Sequence, residues 1–141
     1  MATDGNDFSR SMGIATSGLR AQAARMRVIS ENIANADSTG PTAGGDPYRR
    51  KIPTFTSELD RTLDARVVTL GRVRPDASAF RVRYEPNNPA ADAAGNVKYP
   101  NVNSVVEMTD MRQAQRSYEA NLNIISATRR MIQRTLDILK A

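Results

Sequence analysis

The sequence contains no cysteine and no histidine among its 141 residues. Without these residues the chain cannot form a disulfide, a thiolate nucleophile, a cysteine–histidine zinc site or a histidine-based catalytic triad. Carboxylate catalysis stays open, but no pair of acids stands out. We therefore expect a protein that is not an enzyme, with no catalytic residue, no metal, no cofactor and no small-molecule ligand.

Aromatic residues are scarce as well, with 3 Phe, 4 Tyr and no Trp, so a core would be thin and mainly aliphatic. The first thirty residues lack the continuous apolar stretch of a cleavable signal peptide, and no apolar run approaches the ~18 residues of a membrane span. Taken alone, this pattern indicates a cytosolic protein, unless export uses a route that leaves no cleaved signal.

The net charge of +5 is spread along the chain among acids. Arg49–Lys51 is the one basic triplet, and a solvated turn or strand edge explains it better than a nucleic-acid site. A small basic helical protein that binds nucleic acid nevertheless remains the alternative hypothesis. It predicts DNA affinity that falls steeply with salt.

Residues 104–141 have the pattern of one long amphipathic helix without proline or glycine. Ser104 and Glu107 fit a capping box at its start. At about 1.5 Å per residue the helix is roughly 55 Å long, so it needs partners along its whole length. Its apolar positions alternate in steps of three and four, and this predicted seam consists of Met108, Met111, Gln115, Tyr118, Leu122, Ile125, Arg129, Ile132, Leu136 and Leu139.

A second seam predicts an N-terminal helix over residues 8–40, after a disordered segment 1–7. Turn formers and Pro41 stop this helix. Gly13 and Gly18 in its interior indicate either a frayed first turn or close approach of a neighbouring helix. The predicted seam consists of Phe8, Met12, Ala15, Leu19, Gln22, Met26, Ile29, Ile33 and Ala36.

Residues 41–103 hold all seven prolines and predict an insert of short strands and loops. We expect an edge strand over 48–55, helix or loop over 56–65, strands over 66–74 and 78–85, and a loop over 86–100. The predicted fold class is mainly α, with the terminal helices packed as an antiparallel coiled-coil hairpin and a small β and loop insert between them. Apolar surface that this hairpin leaves uncovered must face other subunits.

Four stretches, in order along the chain, resemble the flagellar axial proteins, the family of rod, hook and hook-associated proteins. The first is the Asn-apolar-Ala-Asn signature of Asn32 and Asn35, followed by Thr39. The others are Pro47–Lys51, the run from Tyr84 to Asn103 with Gly95, and Glu107–Asn121. The resemblance covers nearly the whole chain from Phe8 onward and is closest to the rod members of the family.

The resemblance implies a structural subunit of the proximal rod in the flagellar basal body. Such a subunit is exported by the flagellar type III apparatus and polymerises through its terminal helices into the drive shaft that transmits torque across the periplasm. The implied partners are other copies, other rod proteins, the export apparatus and the MS-ring region, but no nucleic acid. The implied export-gate element is Phe8 and Met12.

The remaining predicted roles concern packing and assembly. We expect N-helix packing by Leu19, Met26, Ile29 and Ile33, and C-helix packing by Met108, Met111, Tyr118, Leu122, Ile125, Ile132, Leu136 and Leu139. Glu119 and Asn121 are the predicted contacts between subunits.

Overall fold

The computed structural model describes residues 4–140, which form two long helices and six short strands. The helices are α1 (Asp4–Ala34) and α2 (Ser104–Lys140). The strands are β1 (Lys51–Ile52), β2 (Phe55–Asp60), β3 (Ala65–Leu70), β4 (Arg74–Pro75), β5 (Arg81–Tyr84) and β6 (Asn96–Tyr99). They pair antiparallel as β1 with β4, β2 with β3 and β5 with β6. None of the helices described is both long enough and apolar enough to span a membrane.

The predicted fold class, a mainly α hairpin with a small insert, is wrong. Of the residues that the structure describes, 49% are in helices and 18% are in strands. The middle segment builds structure of its own, because Ala90, Val97 and Tyr99 form a buried cluster within it. Prolines and turns in this segment interrupt the hydrogen bonding between strands. The described strands therefore form three two-stranded sheets, and no larger sheet connects them.

The described residues divide into two compact units, and each helix contributes to both. Unit 1 holds residues 4–25, 55–71 and 113–140, and unit 2 holds residues 26–54 and 72–112. Residues 1–3 of the predicted disordered segment lie outside the described residues, while its residues 4–7 belong to α1.

In unit 1, the β2–β3 hairpin is fixed to the first part of α1. Its tight turn uses Asp64, a non-glycine residue with a φ of 46°. Arg10 of α1 holds this turn by donating from Nε to the Leu63 carbonyl at 3.0 Å and from Nη2 to Asp64 at 3.0 Å. The Ser17 hydroxyl accepts the amide of Val68 at 3.2 Å. Residues 56–65, predicted as helix or loop, are therefore most of a strand and its turn.

In unit 2, β5 and β6 form a hairpin whose second strand the sequence pattern did not predict. Gly95, with a φ of 81°, makes the turn directly before β6. Asp92 Oδ1 accepts the amides of Ala94 and Asn96, each at 2.9 Å, and closes the loop in front of the strand. The predicted loop over 86–100 is therefore wrong for residues 96–99, where Val97 and Tyr99 alternate as buried side chains with the polar Asn96 and Lys98.

The start of α2 differs from the predicted capping box. Asn103 caps the helix, because its Oδ1 accepts the amides of Val105 at 3.1 Å and Val106 at 3.4 Å. The predicted cap, Ser104, is the first residue of the helix. Because Asn103 already accepts the first amides of the helix, the carboxylate of Glu107 is not needed as a cap. It lies instead in the interior of unit 2.

Candidate functional site

A buried polar cluster in unit 2 is centred on Asn32, whose side chain is fully buried. Its Nδ2 donates to the Lys51 carbonyl at 2.8 Å and to Glu107 Oε2 at 3.0 Å. Its Oδ1 accepts the Tyr48 hydroxyl at 2.8 Å and the Lys51 amide at 2.9 Å. Both donors and both acceptor positions of the amide are occupied, so α1, the 48–51 segment and α2 must be in register for it to fit.

Glu107 and Arg50 form the charged part of this cluster. The Glu107 side chain is 1% exposed, and its Oε1 accepts Arg50 Nε at 2.6 Å. Arg50 Nη1 also lies 3.4 Å from Asp76 Oδ2. Burial works against the charged guanidinium, but the hydrogen bonds and negative charges of Glu107 and Asp76 together outweigh it and raise the pKa of Arg50. The buried carboxylate is therefore compensated by a cation and by an amide.

Tyr48 is coupled to the same charges. Burial, together with the negative charges of Glu31 and Glu107, raises the pKa of Tyr48 to about 12. The phenol is therefore neutral at physiological pH and available as the donor to Asn32.

Asn101 connects the cluster to the 76–78 turn of unit 2. Its Oδ1 accepts the Arg50 amide at 2.8 Å, and its Nδ2 donates to the Ser78 hydroxyl at 2.8 Å. Hydrogen bonds from Ser78 hold the pKa of Asp76 below its usual value. Arg49 stacks on Phe80, with its guanidinium carbon 4.2 Å from the ring centroid.

The cluster brings together stretches that are far apart in the sequence. Asn32 comes from the first stretch that carries the family resemblance, Tyr48 and Arg50 from the second, Asn101 from the third and Glu107 from the fourth. Their polar groups are hydrogen-bonded to one another. No group of metal-ligating side chains occurs among residues 4–140. The arrangement fixes the relative positions of elements in unit 2.

The sequence pattern predicts other roles for two members of this cluster. It assigned Glu107 to a helix cap and Arg50 to a solvated basic triplet. The position of Glu107 on α2 could have indicated its burial. It lies in the same heptad row as Ala114 and Thr128, which are both buried. A charged residue in a row of buried small residues indicates a buried partner.

The predicted seam of α2 consists of two heptad rows, one starting at Met108 and one at Met111. The most buried row starts instead at Glu107, one residue before the first of them. This row contains small and polar residues at heptad spacing, namely Glu107, Ala114, Asn121 and Thr128. The predicted packing residues Met111, Tyr118, Ile125 and Ile132 are half-buried beside this row. In contrast, Met108, Leu122, Leu136 and Leu139 are exposed.

On α1, Ile29 is buried, and the other predicted packing residues Leu19, Met26 and Ile33 are half-buried. The predicted export-gate residues Phe8 and Met12 are half-buried too. Asn35, which directly follows α1, is half-buried and donates to the Glu31 carbonyl of that helix at 2.8 Å, whereas Thr39 is exposed. The family-motif residues therefore differ in environment, and Asn32 is the member that joins the polar cluster.

The two predicted subunit contacts also differ in environment. Glu119 is exposed on α2. Asn121 is half-buried, donates to the Ser117 carbonyl at 2.9 Å and faces Gly18 of α1 within unit 1. A Cβ at Gly18 would lie 2.9 Å from the Asn121 amide atoms, so this glycine permits the close helix approach that was one of its two interpretations.

A groove of about 840 Å³ in unit 1 lies between α1 and the β2–β3 hairpin. Its lining includes Gly13, Thr16, Leu63 and Val67. None of the charged side chains along it is buried, so it lacks the convergent, desolvated groups of a catalytic pocket.

Two family models match the ends of the chain. Residues 12–42 match the model for flagella basal body rod protein, and residues 93–138 match the model for the C-terminal region of flagellar basal body rod FlgEFG protein. Most of each long helix thus lies in a region that matches flagellar rod proteins, which defines the class.

Relatives along the full chain define the family more narrowly. The chain is 53% identical to the flagellar basal-body rod protein FlgC of Agrobacterium fabrum, covering 95% of this chain and 96% of the relative. It is 36% identical to the Aquifex aeolicus FlgC protein over 95% and 98% of the two chains. It is 40% identical to the Salmonella typhimurium FlgC protein over 89% and 92%. The chain belongs to the flagellar basal-body rod protein FlgC family.

Family membership confirms the predicted resemblance, the structural and non-enzymatic class, and the location in the basal-body rod. The alternative hypothesis of a nucleic-acid-binding protein therefore receives no support from the relatives.

Proposed function

We propose that this chain is a subunit of the proximal rod, polymerises with other rod subunits through α1 and α2, and transmits torque across the periplasm. The observation that supports this proposal is the exposure of large apolar side chains on α2. Leu122 is 42% exposed and Ile138 75% exposed, although both lie on a regular helix with apolar periodicity. Large apolar side chains that are exposed on more than one face of a regular helix mark surfaces for protein partners.

The energetic case follows from the same side chains. Covering a large aliphatic side chain contributes about 1.5–3 kcal/mol, so a few such contacts per copy offset much of the entropy lost on association. Each contact is individually modest, but a rod repeats it for every subunit. Repetition then gives a shaft that is stable although single pairs are weak.

Torque transmission requires subunits that do not deform under load. In unit 2, the hydrogen bonds of Asn32 and the ion pair of Glu107 with Arg50 are directional, unlike apolar contacts. A sliding movement of α1 against α2 by one residue would break them together. The polar cluster thus supports a role in holding helix register under mechanical stress.

The second part of the proposal concerns export. The chain is exported through the flagellar type III apparatus, which recognises Phe8 and Met12. The absence of cysteine supports it, because a chain that is exported unfolded benefits from having no disulfide to reduce. Docking near the MS-ring region is the expected fate of the exported subunit.

The export element is tested by a Phe8→Ser/Met12→Ser variant. We expect its secretion to fall while its synthesis continues, as measured by immunoblots of cell and secreted fractions. Ile14→Ser is the matched control, since Ile14 is an exposed apolar residue of the same helix outside the element. Unchanged secretion of the double variant would contradict the assigned recognition role.

Polymerisation is tested by Leu122→Asp. Because Leu122 is exposed, the variant should fold and be exported normally but block rod completion and swimming. Asn123→Asp is the control, because it adds the same charge at the neighbouring exposed position without removing apolar surface. Soft-agar motility and electron microscopy of basal bodies give the readouts. Normal swimming of the Leu122→Asp strain would remove this surface from the mechanism.

A further inference from the structure

Two strands of the middle segment have one edge without a backbone partner. β2 pairs only with β3, and β5 pairs only with β6, among the strands that the structure describes. All residues of β5 and the first five residues of β2 are exposed. An exposed edge is a template for a further strand, and chains that do not use it commonly block it with proline or lysine. Neither β2 nor β5 contains either residue, so both edges are open to strand addition.

The hydrogen bonds of the β2–β3 hairpin show which backbone groups lie at the free edge of β2. The Val68 amide donates to the Ser17 hydroxyl at 3.2 Å, so it points away from β2. Val68 lies opposite Ser57, and these two residues therefore form a non-hydrogen-bonded pair. Because the two kinds of pair alternate along a strand, the N–H and C=O groups of Phe55, Ser57 and Leu59 point outward at the free edge.

The free edge of β5 follows from the same alternation. The Glu85 amide donates to the Gly95 carbonyl at 2.9 Å, so the backbone of Glu85 points toward the β6 side of the hairpin. Arg83 and Arg81 then also point toward β6, whereas the N–H and C=O groups of Val82 and Tyr84 point outward.

We propose that β2 of one copy pairs antiparallel with β5 of a second copy of this chain, with Leu59 opposite Val82 and Ser57 opposite Tyr84. This inference rests on the proposed function, and it concerns a contact separate from the terminal helices. In this register the outward backbone groups of the two strands face each other, so each pair exchanges two hydrogen bonds. Because β2 and β5 are different surfaces, each added copy presents a fresh edge, and the contact repeats from copy to copy.

Charge identifies the partner as the unlike strand of another copy. The charged residues of β2 are both acids, Glu58 and Asp60, and those of β5 are both bases, Arg81 and Arg83. Pairing of β2 with itself or of β5 with itself would bring like charges near each other, which weakens the pairing of strands. In the proposed register Glu58 comes directly opposite Arg83, and Asp60 comes opposite Arg81.

The next charge along the chain, Glu85, favours the antiparallel direction. In the proposed register Glu85 comes opposite the uncharged Thr56. In a parallel arrangement that keeps Glu58 beside Arg83, Glu85 would instead lie beside Asp60 and repel it.

The register also joins faces of the same kind. Leu59 is 60% exposed and Val82 is 59% exposed, and the two side chains would cover each other on one face of the new sheet. Tyr84 lies on the same face of β5 and is 71% exposed. A shift of one residue would turn these apolar side chains against the charged face of the partner strand. The cations on this face, Arg66 and Lys98, lie on β3 and β6 and are separated by both strands of the new contact.

Engineered cysteines test the register without background, because the chain contains none. Glu58 and Arg83 are the positions to use, since Arg81 already donates to the Ala36 carbonyl at 2.8 Å. The two residues would form a non-hydrogen-bonded pair, whose Cα atoms are about 4.5 Å apart and within reach of a disulfide. Cells express Glu58→Cys and Arg83→Cys variants together, and their isolated basal bodies are oxidised mildly and analysed by non-reducing electrophoresis. We expect at least ~10-fold more disulfide dimer from the mixture than from either variant alone.

The matched control mixture pairs Ser57→Cys with Arg83→Cys. Ser57 is exposed and adjacent to Glu58, and serine and cysteine are similar in size. Its side chain points to the opposite face of β2, so the two thiols would be separated by the sheet. We expect this mixture to give no more dimer than the single variants.

A charge exchange supplies a second measurement. Glu58→Arg should reduce the number of complete rods about 2- to 5-fold, and adding Arg83→Glu to the same chain should restore it, because each contact again pairs opposite charges. Adding Arg66→Glu to Glu58→Arg is the control, since it gives the same net charge at an exposed position of the same hairpin. Rescue by Arg83→Glu and not by Arg66→Glu supports the contact, because Arg83 belongs to the other unit of the chain.

The outcomes separate this inference from the proposed function. Basal bodies that contain the chain but give no excess of mixed dimer, or as much dimer with Ser57→Cys, would overturn the β2–β5 contact and leave the rod function intact. Abundant dimer from Glu58→Cys alone would indicate pairing of two β2 strands and would overturn the contact as well, as would failure of Arg83→Glu to rescue Glu58→Arg. Absence of the wild-type chain from isolated basal bodies would instead overturn the proposed function.

Discussion

Replacing Asn32 by alanine should be among the most damaging single changes in unit 2. The amide makes four hydrogen bonds, at 2.8, 3.0, 2.8 and 2.9 Å, and its side chain is fully buried. In Asn32→Ala, the donors of Tyr48 and Lys51 and the acceptors of Lys51 and Glu107 lose this partner together. Water would have to enter the cavity to replace the amide.

The magnitude follows from the partners. Three of the bonds are to neutral groups, worth about 0.5–1.5 kcal/mol each, and the bond to the Glu107 carboxylate is worth about 1.5–3 kcal/mol. Because the four bonds share one side chain they are not additive, and we expect a loss of about 3–5 kcal/mol in the free energy of unfolding. Such a loss is a large part of the stability of a small protein.

The assay is urea unfolding of the purified chain, followed by circular dichroism. Asn35→Ala is the matched control at the residue that directly follows α1, because its side-chain amide donates a local hydrogen bond to the Glu31 carbonyl at 2.8 Å. We expect this control to lose no more than about 1.5 kcal/mol. Equal stability of the Asn32 and Asn35 variants would refute the view that the polar cluster fixes the register of unit 2.

Two further predictions concern acid stability and glycine positions. Because hydrogen bonds from Ser78 lower the pKa of Asp76 in the folded chain, the stability that this carboxylate contributes is present above its ordinary pKa of 3.8 and is lost as the pH falls through its lower folded value. Asp76→Asn should therefore flatten the dependence of the urea midpoint on pH below about 4, and an unchanged profile would contradict this. A Cβ at Gly40 would lie 2.6 Å from the Gly45 carbonyl oxygen, so Gly40→Ala must move the backbone and should cost about 1–3 kcal/mol in unfolding experiments. Gly13→Ala meets the flexible end of a leucine side chain and gains helix propensity, so it should be near neutral, and an equal loss for both variants would contradict the distinction.

The polar cluster is an example of a contact that sequence patterns do not predict. The stretches that carried the family resemblance were recognised individually, yet nothing in their spacing indicated that Asn32, Arg50, Asn101 and Glu107 meet. Their separation along the chain is large, and a contact of this kind depends on how the chain returns to itself. For the same reason, Glu107 was interpreted from its nearest sequence neighbours as a capping residue.

The helices show a different limit. Heptad periodicity predicted α2 from Ser104 onward because local hydrogen bonding and apolar spacing act along the helix itself. Periodicity could not decide between rows only one residue apart, because both rows contain residues at heptad spacing. The close approach of Gly18 to Asn121 selects the row of small and polar residues for the interior, and Leu122 is turned outward.

By itself, the sequence determined the two long helices, the absence of cysteine and histidine chemistry, and the resemblance to flagellar rod proteins. These properties reside in residue types and in local spacing. The tertiary structure decided that the middle segment forms three strand pairs, that a buried amide and an ion pair connect its stretches, and which apolar residues remain exposed. Those outcomes depend on contacts between residues that are far apart in the sequence. Small side chains permit close approach of the elements, and the larger side chains beside them are turned toward the surface.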